Sequence, residues 1–131
     1  MMLRLSWATP LNVSPSGGSA IVEDWESIKL RLDYMKNSLG TVTLTVIGGA
    51  RLGPMSLQVI ADSGVYVVTL LESDENDTNV RAYTHPTAGG ERVCVLGDYW
   101  DARDLISDFD LVLMMFKEFF QTGDVSRQLL N

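Results

Sequence analysis

A single cysteine, Cys94, and a single histidine, His85, leave this 131-residue chain poor in two of the commonest metal-binding side chains. One cysteine excludes an internal disulfide and any metal site built from several cysteines, and one histidine excludes a site with two histidine ligands. A nucleophilic pair of His85 with Ser63 or Cys94 stays open, but neither nucleophile lies in the strand-to-helix turn that exposes such a residue. We therefore expect no catalytic residue and no metal ligand.

The chain is also short of basic residues and of long apolar runs. Ten Lys and Arg stand against seventeen Asp and Glu, which gives a net charge of −7 at pH 7. Nucleic-acid binding needs clustered Lys and Arg, so we expect no nucleic-acid partner. No apolar run reaches the ~18 residues that span a bilayer, and residues 1–18 carry one Arg and no long apolar stretch. We therefore expect no membrane segment, no signal peptide and a cytoplasmic location.

One glycine-rich stretch, GGARLG at residues 48–53, follows a predicted strand as a nucleotide-binding loop does. The dinucleotide fingerprint requires glycine at its third position, where this chain has Ala50. A helix must also follow, so that its N-terminal amides face the phosphates, but Pro54 and a strand-like run follow instead. We therefore expect no nucleotide cofactor, and no cofactor of another kind is indicated.

What the sequence does contain is enough apolar material for one core. Apolar residues make up 46% of the chain and charged residues 21%, which is typical of a folded globular domain. A chain of this length can bury roughly two-thirds of its surface without metal or disulfide support. We predict a single domain over residues 1–131.

Two amphipathic helices are predicted. Asp24 is a suitable N-cap for the first, and Asn37, Ser38 and Gly40 are predicted to end it. Its apolar stripe consists of Trp25, Ile28, Leu32 and Met35. Ser107 and Asp110 have the spacing of a capping box for the second helix, and Gly123 stands where a helix ends in a left-handed cap. The apolar stripe of the second helix consists of Phe109, Val112, Leu113, Phe116, Phe119 and Phe120.

The remaining apolar segments alternate with polar residues, which is the pattern of half-buried strands. These segments are residues 2–7, 41–47, 55–61, 65–71, 78–84 and 91–97. A tight turn at residues 62–64 predicts that the two segments beside it form a hairpin. Residues 78–84 and 91–97 are predicted to form a second hairpin.

Two further segments complete the order of elements. Pro10, Pro15, Gly17 and Gly18 predict a loop before the first helix, and residues 99–106 favour a strand over a helical turn. The order is then a strand, a helix, five or six strands and a helix. The missing alternation of strands and helices argues against a doubly wound parallel sheet. We predict an α+β fold, an antiparallel sheet of about six strands with two main helices packed on one face.

Acidic residues concentrate in two segments. Residues 72–77 lack the central glycine and the terminal glutamate of an EF-hand, and residues 98–110 hold five aspartates against Arg103 alone. Such runs often only solvate a surface, but acidic side chains beside aromatic ones also steer and anchor a basic protein partner. The predicted partner-binding residues are Glu72, Asp74, Glu75, Asp77, Asp98, Tyr99, Trp100, Asp101 and Asp104.

Several segments together carry a family resemblance. In chain order they are GGS at residues 17–19, the helix with Trp25, VLGDYWDAR at 95–103, DFDLV at 108–112 and FKEFFQTGDVS at 116–126. This layout resembles the small immunity proteins of bacterial polymorphic-toxin and contact-dependent growth inhibition systems. It is most similar to the group whose members end in an aromatic helix closed by F-x-x-T-G, here residues 119–123.

The resemblance implies a non-catalytic cytoplasmic protein that binds the toxic C-terminal domain of a cognate effector. Toxin domains of this type are often basic nucleases. The net charge of −7 suits a basic partner, because opposite charges speed encounter. The resemblance supplies no toxin-facing residues, so the acidic segments are chosen on charge and expected exposure. We expect a monomer or a weak homodimer.

Two other functions stay open. A structural or adaptor domain would associate with itself through an exposed sheet edge. A small carboxylate-dependent hydrolase would need a concave pocket in which one Asp or Glu has a raised pKa.

Overall fold

A six-stranded antiparallel sheet organises the chain in a computed structural model that describes residues 1–9, 17–48, 52–85 and 90–131. The strands are β1 (Met2–Ala8), β2 (Gly17–Val22), β3 (Leu39–Ile47), β4 (Gly53–Asp62), β5 (Val65–Ser73), β6 (Thr78–Ala82), β7 (Arg92–Val95) and β8 (Asp98–Asp101). The helices are α1 (Trp25–Met35), α2 (Phe109–Thr122) and a short 3-10 helix at Ala102–Asp104. The main sheet has the order β2-β1-β3-β4-β5-β6, and β7 pairs with β8 in a separate ribbon.

Both main helices pack on one face of the sheet, which confirms the predicted α+β fold. Side chains from alternate strand positions and from the helix stripes form a single core. The core includes Leu3, Leu5, Ile28, Leu32, Val42, Leu44, Leu57, Val59, Val68, Leu70, Val112, Phe116 and Phe119. Trp25 of α1 contacts Phe120 of α2, with 6.3 Å between ring centroids. Tyr66 of β5 contacts Phe109 of α2 at 5.5 Å, so both helices are fixed to the sheet and to each other.

The predicted β4–β5 hairpin is confirmed. Ser63 and Gly64 form its two-residue turn, with φ angles of 51° and 95°. Positive φ at both positions is the geometry that matches the right-handed twist of paired strands.

The second predicted hairpin is wrong in its pairing. β6 pairs with β5, and β7 pairs with β8. Each observed pair is joined by a short turn, residues 74–77 or Leu96-Gly97, whereas the predicted pair needed a longer connection. Short connections close antiparallel pairs at the lowest cost in chain entropy. Residues 86–89 of the predicted connection lie outside the described residues.

The predicted loop before α1 contains a strand that the sequence pattern did not indicate. Gly17 and Gly18 begin β2, which pairs with β1. A β-carbon at Gly18 would lie 2.6 Å from Cζ2 of Trp7, so only glycine lets the indole ring lie against this strand. The glycines therefore mark a close approach inside a sheet. Residues 10–16 of the predicted loop lie outside the described residues.

The ends of the helices also differ from the sequence prediction. Asp108, rather than Ser107, caps α2, and its side chain accepts a hydrogen bond from the Asp110 N–H at 3.0 Å. Gly123 has φ 80° in the left-handed region, as predicted. Gly40 does not end α1, because it lies inside β3.

The β7–β8 ribbon contacts β4. The Leu96 N–H donates a hydrogen bond to the Asp62 carboxylate at 3.1 Å, which ties the ribbon to the β4–β5 turn. The segment 99–106 is a strand only in part: β8 ends at Asp101, the 3-10 helix follows, and Ile106 bridges to Tyr66 of β5. Among the described residues no helix is both long and apolar enough to cross a bilayer.

Candidate functional site

A buried arginine, Arg81 of β6, binds the C-terminal segment to the edge of the sheet. Its side chain is 3% exposed. Its guanidinium donates hydrogen bonds to the carbonyls of Val125 at 2.6 Å and Leu130 at 3.1 Å. It also pairs with the carboxylates of Asp124 at 2.8 Å and Glu72 at 3.3 Å. The sequence pattern does not indicate this centre, because Arg81 lies in an ordinary strand pattern and its partners lie up to 49 residues away.

Glu72, one of the predicted partner-binding residues, belongs to that centre. Its side chain is 16% exposed and bridges Arg81 to Arg127, which it contacts at 3.3 Å. Because both oxygens are engaged inside the molecule, the structure assigns Glu72 to the attachment of the C-terminal segment.

Three other predicted residues lie in the β5–β6 turn. Asp74 accepts hydrogen bonds from the backbone N–H groups of Asn76 at 2.9 Å and Asp77 at 2.8 Å. These hydrogen bonds lower the pKa of Asp74 below its ordinary value of 3.8, because they stabilise the charged form. The Asp77 carboxylate accepts from the Thr78 N–H at 2.8 Å. Glu75 is exposed and makes no hydrogen bond or ion pair with a described residue.

The turn therefore presents three carboxylates within four residues. None of them is paired with a Lys or Arg of the described chain. We call Asp74, Glu75 and Asp77 the acidic turn.

The second acidic segment lies on β8 and the 3-10 helix. Asp101 binds Arg103 at 3.0 Å, and the hydrogen bond from the Arg103 side chain is the main cause of a lowered pKa at Asp101. Asp104 accepts a hydrogen bond from the Thr84 hydroxyl at 3.2 Å. Asp98 and Tyr99 are exposed, Tyr99 by 67%. The charge of this segment is thus partly compensated by its own arginine.

Trp100 is half-buried, and its indole Nε1 is covered without a hydrogen-bond partner among the described residues. It points inward with Val93, its partner across the β7–β8 ribbon. This residue therefore serves the ribbon's packing and offers little surface to a partner.

The structure does not bring the two acidic segments together. The β7–β8 ribbon is tied to Asp62, beside the start of β5, whereas the acidic turn follows the end of β5. Nine residues of extended strand separate the two positions, which corresponds to about 30 Å at ~3.3 Å per residue. One compact partner surface that uses both segments is therefore not formed.

The residues that the sequence considered for chemistry are dispersed. Cys94 is exposed on β7, His85 follows β6, and Ser63 lies in the β4–β5 turn. In residues 1–9, 17–48, 52–85 and 90–131, no three His, Cys, Asp or Glu side chains come together as a metal site would require.

A groove with a volume of about 460 Å³ lies beside α1. Trp7, Arg31 and Tyr34 lie along it. The Arg31 guanidinium carbon is 3.8 Å from the centre of the Trp7 ring. The sequence pattern does not indicate this groove, because Trp7 and Arg31 come together only through the packing of α1 on β1.

Comparisons with known proteins identify a family and a fold. A protein family described as "Family of unknown function (DUF6911)" matches residues 14–129. No curated protein matches the sequence. A crystal structure of a hypothetical protein from Neisseria gonorrhoeae superposes with a TM-score of 0.78 at 14% identity, covering 95% of this chain and 90% of that chain. At this identity the likeness shows a shared fold.

Proposed function

This chain belongs to the DUF6911 family, and we propose that it is a non-catalytic protein that binds and neutralises a basic toxin domain in the cytoplasm. The resemblance to small immunity proteins indicates that the partner is a toxin domain. The net charge of −7 indicates that this domain is positively charged.

The acidic turn is the observation that carries the proposal. Its three carboxylates crowd a hairpin tip, and none of them has a basic partner among the described residues. Hydrogen bonds from the backbone hold Asp74 and Asp77 in place, so their charge is presented in a fixed arrangement. A fixed cluster of one sign steers an oppositely charged partner and increases its association rate.

The strand beside the acidic turn offers the second part of the surface. β6 is an edge strand, and Val80 on it is 63% exposed. Outside its pairing with β5, the described chain adds to β6 one backbone hydrogen bond, from the Asn131 N–H to the Ala82 carbonyl. Open strand edges bind extended segments of a partner through main-chain hydrogen bonds. The toxin would then be steered by the turn and held along β6.

A lowered pKa at Asp74 and at Asp101 also bears on the carboxylate-hydrolase alternative. A general acid that works near neutral pH needs a raised pKa. The two carboxylates shift in the opposite direction, so they suit binding better than acid catalysis.

The second candidate function is that of a structural domain that associates with further copies of itself. The edge strand β2, at the opposite side of the sheet from β6, favours this function. β2 pairs on one side only, and its residues from Gly17 to Ile21 are exposed. Two copies joined edge to edge would extend the sheet. Light scattering coupled to gel filtration distinguishes this candidate, because it predicts a dimer at micromolar concentration without any other protein.

Capture of the partner tests the proposal. The tagged chain is purified from its source cells with its genomic neighbours expressed, and the co-eluting proteins are identified by mass spectrometry. We expect one stoichiometric partner with a basic C-terminal domain. Elution alone, or only with further copies of this chain, would contradict the proposal.

Charge reversal then tests the surface. Glu75→Lys changes the acidic turn without removing a hydrogen bond that holds it, and should slow association with the captured domain several-fold at low salt. Glu23→Lys makes the same charge change at an exposed site between β2 and α1, and should slow it less. Equal effects of the two substitutions would show that net charge alone steers the partner, and would overturn the assignment to the turn.

A further inference from the structure

The groove beside α1 has the size and lining of a small-molecule site. Its volume of about 460 Å³ lies within the range of roughly 300–1,000 Å³ that is usual for such sites. The apolar lining includes Trp7, Leu30, Tyr34, Met35, Leu39 and Val42. Leu30 and Tyr34 are 53% and 68% exposed, so the outer wall of the groove is apolar surface that no other described segment covers.

Among the described residues that line the groove, Arg31 is the one that carries a charge. Its guanidinium stacks on Trp7 at 3.8 Å and lies 5.9 Å from the ring of Tyr34. It makes no hydrogen bond or ion pair with any residue that the structure describes. A stacked guanidinium is engaged through its face, and the N–H donors along its edge remain available to a planar anion.

The Trp7 ring beneath Arg31 is packed closely against β2. Its centre is 3.8 Å from the guanidinium carbon, and a β-carbon at Gly18 would come within 2.6 Å of Cζ2 of the ring. A residue larger than glycine at position 18 would therefore displace the ring on which the guanidinium lies.

We propose that this groove binds a small apolar carboxylate, a molecule with one carboxylate on an aromatic or branched hydrocarbon body. The carboxylate pairs with the edge of Arg31, in the two-pronged geometry that suits both groups. The hydrocarbon body lies between Trp7 and the exposed side chains of Leu30 and Tyr34. This site is independent of the proposed function, because it lies on β1, β3 and α1 rather than at the β5–β6 turn.

Charge complementarity selects an anion at this place in particular. The chain as a whole carries −7 and repels anions. An anionic ligand is therefore favoured where a cation has no ionic partner among the described residues and apolar surface adds affinity, and the groove combines both conditions.

An NMR titration of the isotope-labelled full chain tests the proposal with 3-phenylpropionate as the probe. The chain has three tryptophans, so its indole N–H signals are few enough to follow one by one. We expect the Trp7 signal to shift with saturation and a Kd below roughly 1 mM, a plausible affinity for a ligand of this size. The Trp100 signal, on β8, should stay in place.

The uncharged match, 3-phenylpropionamide, isolates the carboxylate. Its Kd should be at least about tenfold higher, because it cannot form the charged pair with Arg31. This comparison uses the unaltered protein and does not depend on the folding of a variant.

A pair of variants isolates the cation. Arg31→Gln should weaken 3-phenylpropionate binding by about tenfold or more. Arg4→Gln, at an exposed position of β1 on the opposite face of the sheet, should leave the affinity unchanged. Near-ultraviolet circular dichroism shows whether each variant keeps its tertiary packing.

Three results would overturn the proposal. The first is equal affinity for the acid and the amide, and the second is an unchanged Kd in Arg31→Gln. The third is binding of a peptide with a C-terminal phenylalanine where 3-phenylpropionate does not saturate the Trp7 shift, which would assign the groove to a protein terminus instead.

Discussion

At the scale of single residues, the same kind of side chain has different roles according to its burial. Glu72 contacts two arginines at the same distance of 3.3 Å. Arg81 is 3% exposed and Arg127 is 69% exposed. Removing one partner of a buried pair leaves a charge and several carbonyls without hydrogen bonds, whereas exposed pairs contribute little. The two arginines thus form a matched comparison around one carboxylate.

Arg81→Met should destabilise the protein by about 3–5 kcal/mol, because the Val125 and Leu130 carbonyls lose their donor and Glu72 loses its buried partner. Arg127→Met should change the free energy of unfolding by no more than about 1 kcal/mol. Urea unfolding followed by circular dichroism measures both. Similar losses in the two variants would contradict the structural role assigned to Arg81.

Asp74 gives a prediction about pH. Its pKa in the folded protein lies below the ordinary value of 3.8, because the Asn76 and Asp77 N–H groups donate hydrogen bonds to it. A lowered pKa contributes stability that is fully present above the unfolded value and is lost as the pH falls through the folded value. The stability difference between the wild type and Asp74→Asn should therefore be largest above about pH 4 and shrink toward pH 2.

Unfolding measured across that pH range, with Glu75→Gln as the control, tests this prediction. The control removes a charge from the same turn, but it removes no hydrogen bond between described residues. A difference between the wild type and Asp74→Asn that grows on acidification would show the opposite linkage.

At the scale of elements, local pattern predicted the type of most segments and failed on their pairing. The stripes of α1 and α2, the turn at residues 62–64 and the cap at Gly123 are all local features, and the structure contains each of them. Strand partners depend on distant segments, so the pairing of residues 78–84 with 91–97 was predicted wrongly. β2 was not predicted, because its glycines make room for the ring of Trp7, which lies on another strand.

The candidate site was predictable only to the level of charge. The acidic turn is visible in the sequence as a run of carboxylates, but the engagement of Glu72 by Arg81 and Arg127 depends on how the C-terminal segment folds back. The distance between the two acidic segments follows from the length of β5 and the pairing of β5 with β6. Neither the ion pairs of Glu72 nor the distance between the two acidic segments can be inferred from the spacing of the acidic residues.

The helix caps provide a prediction at the same scale. The Asp108 side chain accepts a hydrogen bond at the start of α2, whereas Asp24 at the start of α1 makes no such bond. Asp108→Ala should cost about 1 kcal/mol of stability. Asp24→Ala should cost less, because it removes only the favourable interaction of a negative charge with the helix dipole. Thermal or urea unfolding measures the loss of stability in both variants. An equal or larger loss in Asp24→Ala would contradict the assigned caps.

At the scale of the whole molecule, charge and apolar surface are segregated. The acidic turn lies beyond the β5–β6 end of the sheet, and the groove with Arg31 lies against β1 and β3. Three inter-strand spacings of ~4.8 Å separate β3 from β6. The acidic turn is the proposed site for a basic partner, and the groove is the proposed site for a small anion. Because the two sites lie apart, both ligands can bind at once.

Growth of cells that express the basic domain of the captured partner tests the central proposal most directly. The domain is induced alone, with this chain, and with its Glu75→Lys variant at equal expression. The proposed function predicts that growth stops with the domain alone, resumes with the wild-type chain and resumes less fully with the variant. Growth that stops equally in the presence and absence of this chain would contradict neutralisation.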